Sequence, residues 1–175
     1  MRKFSAVLFL VAVTVCLSWS DLSACGDKFL LIGRGGRFQR AYTAAHPASI
    51  LVYTHPKSEK AASVRDPELL GSLKLAGHKV QTVEDQSKLQ DLLKSGGYDI
   101  VIADFSDAAT VEQHVRNATS KPAFVPVMYK PSKAESDAAQ QQFACLLKAP
   151  DKISHSLGAI EDLMKARLNV AKVKG

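Results

Sequence analysis

From residue 48 onward, apolar runs of strand length alternate with segments whose apolar positions recur at helical spacing. SILVYT, residues 49–54, is the first run and predicts a strand. Asp66-Pro67-Glu68 then supplies a capping carboxylate, a proline in the first turn and an acid near the positive dipole end. That opens a helix whose inner stripe is Leu69, Leu70, Leu73 and Ala76, and Gly77 stops it. HKVQTV, residues 78–83, predicts the second strand. Asp85 begins a helix carrying Leu89, Leu92 and Leu93 on one face, ended by Gly96 and Gly97.

DIVIAD, residues 99–104, predicts the third strand, and Ala108, Val111, Val115 and Ala118 follow at helical spacing. Pro122 marks the approach to a fourth strand, AFVPVMY, in which Pro126 implies a bulge or pairing limited on one side. Ser132 and Glu135 have capping-box spacing for a short polar helix to Gln142. The fifth strand is predicted over residues 143–147. Ile153, Leu157, Ile160, Met164 and Leu168 then mark a last amphipathic helix with Lys165 and Arg167 toward its negative end.

Five strands alternating with five helices predict an α/β fold with three layers, a doubly wound parallel sheet covered on both faces. In that class the working crevice lies at the carboxyl ends of the strands. Thr54, His55, Asp104, Tyr129 and Lys148 are therefore expected along one edge.

The first residues have a different character. Met1, Arg2 and Lys3 give a positive start, residues 4–17 are almost wholly apolar, and small or polar residues follow, which is the layout of a secretory signal. A spanning helix wants about 20 apolar residues, so export is the stronger reading. Leu22-Ser23-Ala24-Cys25 resembles the lipobox of bacterial lipoproteins, in which the cysteine is lipidated. Ordinary cleavage after Ser20 is the alternative. The expected organisation is a signal over residues 1–24, a linker over 25–47, the folded domain over 48–170 and a tail over 171–175. The compartment is periplasmic or cell-envelope, with a lipid tether if Cys25 is modified.

Charge adds little. The net charge of +6 and pI near 9.3 come from bases spread along the chain with acids between them, and no nucleic-acid motif accompanies them. No nucleic-acid partner is expected. Cys145, in FACLLK, reads as a packing thiol, and a disulfide to Cys25 is the oxidising-compartment alternative. His46, His55 and His78 lack paired ligand spacing, so no metal is expected there. His114 and His155 fall on helices, facing solvent. There is no G-x-S-x-G, C-x-x-C or H-E-x-x-H, which argues against hydrolysis. Gly33, Gly35 and Gly36 follow an apolar Phe29-Leu30-Leu31-Ile32, and a glycine loop after a strand can cradle a nucleotide phosphate. The rest of that fingerprint is missing, and a linker is the competing reading.

One stretch, YDIVIADFSDA at residues 98–108, resembles the region around the phosphoaccepting aspartate of response regulator receiver domains. GHKVQTVEDQSKLQDLLKSGGYD has the same family's cadence, and LLKAP resembles its fifth-strand lysine and proline with one residue inserted. The likeness covers roughly residues 48–170 and implies a flavodoxin-like fold, with Asp104 at the acceptor position and Lys148 as the lysine. It also implies Mg²⁺, held in receivers by two further acids after the first strand. Here those places hold Thr54 and His55. The fourth strand ends in Met128-Tyr129-Lys130 where receivers have Thr or Ser.

A lone carboxylate is a poor Mg²⁺ site, because that small ion is held by several oxygens. The expectation is an exported, receiver-like, non-catalytic module that binds a protein partner, with no cofactor. Asp104 then pairs with Lys148 or caps the following helix. The resemblance implies a partner surface near Lys148, Pro150 and Asp151. The competing functions are a receiver phosphorylated on Asp104 with Mg²⁺, and a nucleotide-using enzyme built on Gly33, Gly35 and Gly36.

Overall fold

Successive side chains of a strand point to opposite faces, and here the two sets feed two separate cores. Ile50 and Val52 of the first strand, with Ile100 and Ile102 of the third, enter one core. Leu51 and Tyr53, with Val101 and Ala103, enter the other. Both faces of the sheet must therefore be covered, which explains the continuous apolar runs.

The computed structural model describes residues 42–55 and 64–174. Its strands are β1 (Ser49–Tyr53), β2 (Lys79–Val83), β3 (Ile100–Asp104), β4 (Ala123–Tyr129) and β5 (Leu147–Ala149). They form one parallel sheet in the order β2-β1-β3-β4-β5. The helices are α1 (Pro67–Leu75), α2 (Gln86–Ser95), α3 (Ala108–Arg116), α4 (Lys133–Gln142) and α5 (Ile153–Lys174). This is the doubly wound, flavodoxin-like arrangement. The strand order reverses between β1 and β3, which puts the natural crevice at their carboxyl ends.

The helix starts form where the capping residues stand. Asp66 accepts from the Glu68 amide at 2.9 Å, and Asp85 from those of Ser87 and Lys88 at 2.7 and 3.1 Å. Ser132 and Glu135 complete a reciprocal capping box. Gly77, Gly96 and Gly97 all adopt positive φ at the helix ends. Pro126 sits opposite Ala103 of β3, whereas pairing with β5 starts one residue later at Val127. The missing amide hydrogen thus falls where β4 is paired on one side only.

The fifth strand differs from expectation. It is Leu147–Ala149, not residues 143–147. Phe143 ends α4 instead, its amide donating to the Ala139 carbonyl at 3.0 Å. Its ring stands edge-on to Phe105 and Phe124, with centroids 6.1 and 5.6 Å apart. An aromatic contact and a helix-end hydrogen bond outweigh the local strand propensity of FACLL.

Two features extend the folded body. Residues 42–48 lie against it: Ala44 donates to the Ala76 carbonyl at 2.9 Å, Tyr42 packs on the core, and His46 hydrogen-bonds with Glu161 of α5. At the other end α5 continues as helix through residues 171–174.

Candidate functional site

The carboxyl edge is built by the ends of β1, β3 and β4. Thr54 is buried and donates its amide to Val83 at 2.9 Å, which ties the end of β1 to β2. The Tyr53 and His55 rings meet edge-on at 6.3 Å. Asp104, 3% exposed, ends β3. Its Oδ1 accepts from the Ser106 amide at 2.9 Å and from the Ser106 hydroxyl at 2.6 Å. The carboxylate therefore caps the 3-10 turn Phe105–Asp107 that leads into α3.

Asp104 and Lys148 are not brought together as an ion pair. Lys148 lies in β5, exposed, opposite Met128 of β4. Among the described residues the ion pairs of permanent bases join Lys94 to Asp91 and Arg116 to Glu112, while His46 meets Glu161 and His155 meets Asp151 through hydrogen bonds. Of the two bland roles the sequence offered Asp104, capping is the one made. Pro150 follows Ala149 through a cis peptide bond, and Asp151 accepts from the Lys152 amide and His155.

Sequence reasoning missed Asp107. It stands at the start of α3 without making a cap hydrogen bond, and its Oδ2 is buried with no partner. Burial pushes its carboxyl above the usual range; nearby His55 opposes that, and Asp104 adds to it. Burial likewise raises the Tyr53 phenol, helped by Asp107 and Asp85. A second acid in DFSDAA, three residues after Asp104 and at the head of a helix, is the signal that could have pointed to this cluster. The two aspartates feel each other, yet among the described residues no three His, Cys, Asp or Glu side chains converge to hold a metal.

Beside Asp104 an open groove of about 390 Å³ runs between the ends of β3 and β4 and helix α4. Asp104 and Ser106 line one wall, Ala139 and Gln142 another, and Tyr129 and Lys130 stand at the rim. Tyr129 is 51% exposed, with the Lys130 ammonium 5.3 Å from its ring centroid. Lys130 takes a φ of 45°, fixed by its amide's 2.7 Å bond to the Ala149 carbonyl. The groove thus sets apolar Val127, Met128 and Ala139 beside polar Asp104, Ser106, Glu135 and Gln142, with a cation and a phenol on its lip.

The histidines separate. His55 is at the carboxyl edge, whereas His46 and His78 are at the amino edge, where His78 Nδ1 accepts from the Ala48 amide at 3.1 Å. His78 is 5% exposed, and burial lowers its pKa against the pull of Glu161. His114 meets Gln86 and His155 meets Asp151 on the surface. Cys145 is buried against α5, and desolvation pushes its thiol up to about 11. Cys25 and the glycines at 33, 35 and 36 lie outside the described residues.

No protein-family model matches this chain, and no curated protein matches it. Among solved structures, the chain is similar to a response regulator receiver protein from Sinorhizobium medicae. The TM-score is 0.50 at 21% sequence identity, over 69% of this chain and 97% of that one. At that identity the likeness shows the fold: a receiver-like, flavodoxin-like five-stranded parallel sheet.

Proposed function

We propose that this is an exported, membrane-tethered signalling module of receiver-like fold that binds a protein partner and carries out no chemistry. The observation that supports this most is the disposition of Asp104. One oxygen of its carboxylate, Oδ1, holds the Ser106 amide and hydroxyl, and Thr54 and His55 stand where a receiver's metal-binding acids would be. Phosphoryl transfer to an aspartate relies on positioning and on neutralising the phosphate oxygens with Mg²⁺. Asp104 and Asp107 are near each other, but among the described residues no third acid, His or Cys converges with them, so that neutralisation is weak. The partner surface is the groove rimmed by Tyr129 and Lys130, continuing to exposed Lys148.

Incubating the protein with Mg²⁺ and acetyl phosphate tests the reading. The expected outcome is an unchanged intact mass. A hydroxylamine-labile phosphoryl group on Asp104 overturns it in favour of a working receiver. The mass of the mature N-terminus tests the tether: a diacylglyceryl cysteine at position 25 supports it, and a start at Asp21 removes it.

A further inference from the structure

Every helix here runs against the strands, so helix C-termini gather at the sheet's amino edge, where the dipole rule favours bases. Lys74 near the end of α1, Lys79 at the start of β2 and Lys121 before β4 are exposed there, and none is in an ion pair among the described residues. Helix capping accounts for that much.

It does not account for the end of α5. The buried positions of this helix stop at Met164. Arg167 donates to the Lys121 carbonyl at 3.2 Å, which marks where the helix crosses the amino edge. Leu168 continues the inner stripe but is 41% exposed, and Val170 is 54% exposed. The helix has run past the layer it was packed on. Between residues 165 and 174 the sequence holds Lys165, Arg167, Lys172 and Lys174 and no acid.

Leu75, at the end of the neighbouring α1, is 85% exposed at the same edge. Three of the four exposed large apolar side chains among the described residues thus sit among these bases. The chain also enters the domain there, because Ala48 leads into β1. The residues ahead of it carry Lys28, Arg34, Arg37 and Arg40 against Asp27. Like charge disfavours docking of that segment on the α5 end; both call for an acidic counterpart. The tether proposed at Cys25 lies ahead of that entry point in the chain and brings a membrane within reach.

We infer that the amino edge, led by the C-terminal turns of α5 with Leu75, Leu168 and Val170, rests on a bilayer bearing anionic headgroups. The carboxyl edge and its groove then face away from the membrane. Apolar side chains enter the headgroup boundary while Lys and Arg meet the lipid charge, the division of labour of an interfacial helix. The inference rests on the proposed membrane tether and on the orientation of the fold, and not on whether Asp104 is phosphorylated.

The test is co-sedimentation of the full chain with phosphatidylcholine vesicles, with and without about one-third phosphatidylglycerol, at about 0.1 M salt, where screening is moderate. Insertion of the apolar N-terminus contributes to both vesicle types, so the readout is their ratio. The ratio is expected to favour the anionic vesicles by at least about tenfold and to fall as salt rises, given the per-residue gain of bases near such a surface. The combined K165Q, K172Q and K174Q variant is expected to bring it near one with an unchanged circular dichroism spectrum, since glutamine keeps helix propensity. Equal binding to both vesicles, retention of the preference by that variant, or tighter binding to a DNA or RNA oligonucleotide at the same salt overturns the inference.

Discussion

Replacing Asp104 by alanine and by asparagine separates a cap from a reaction centre. The alanine variant loses both bonds to Ser106, one from an amide and one from a hydroxyl. Removing an N-cap side chain costs about 0.5–2 kcal/mol, and Ser106 is exposed, so water replaces part of what its groups lose. The expected loss is about 1–1.5 kcal/mol. With a urea slope of about 1.5 kcal/mol/M, within the usual range for small proteins, the midpoint should drop by about 0.7 to 1 M. Asparagine keeps an acceptor oxygen at the same place while removing the charge that helps raise Asp107. Its midpoint should stay within about 0.3 M of the parent, on the same slope. Equilibrium urea unfolding followed by circular dichroism measures all three proteins. If asparagine costs as much as alanine, the negative charge itself is held by a cation and the capping argument fails. If alanine costs nothing, the Ser106 bonds do not stabilise the turn.

Other expectations follow from the same geometry. Because burial lowers the His78 pKa, the unfolded chain takes up a proton before the folded one. Stability should therefore be full above about pH 6.5 and decline as pH falls toward the folded value. His78→Asn, which keeps an acceptor for the Ala48 amide, should flatten that decline in urea melts taken at pH 7 and pH 5. Asp107 has the opposite sign for an acid: its raised pKa means a contribution present at low pH and lost as pH rises through the folded value. Asp107→Asn should then be more stable than the parent at pH 7, by differential scanning calorimetry. The Cys145 thiol, pushed up to about 11, should ignore a disulfide reagent such as DTNB at pH 8 until the protein is unfolded. Tyr129→Ala should leave the unfolding free energy from urea melts within about 0.5 kcal/mol of the parent, as exposed sites do. It should weaken any partner recovered by crosslinking from that position.

What the sequence made legible was whatever is decided locally. Asp66-Pro67, Asp85 and the Ser132–Glu135 box set helix starts through bonds two or three residues long, so their positions are readable without the fold. The strand runs SILVY and IVIAD are apolar on both faces because each face meets its own core, and the alternation of helices between them fixes the layering. Residues 143–147 were misjudged because Phe143 answers to Phe105 and Phe124, which are distant in sequence. The docking of residues 42–48 depends on Ala76, His78 and Glu161, and nothing in AYTAAHPA announces those partners. The ends of β1, β3 and β4 fall on the carboxyl edge as expected, whereas Lys148 lies within β5, and Asp107 comes to His55 through a turn whose direction is set by the Asp104 cap itself.

The central claim is that Asp104 is a capping carboxylate beside which, among the described residues, no set of three metal-ligating side chains converges. The most direct measurement is a Mn²⁺ titration of the ¹⁵N-labelled protein followed by amide line broadening. We predict no saturable broadening centred on residues 54, 55 and 104–107, only weak, scattered effects at exposed acids. Saturable broadening focused on those residues, competed away by Mg²⁺ and absent in Asp104→Asn, would contradict the account and restore a phosphorylation centre.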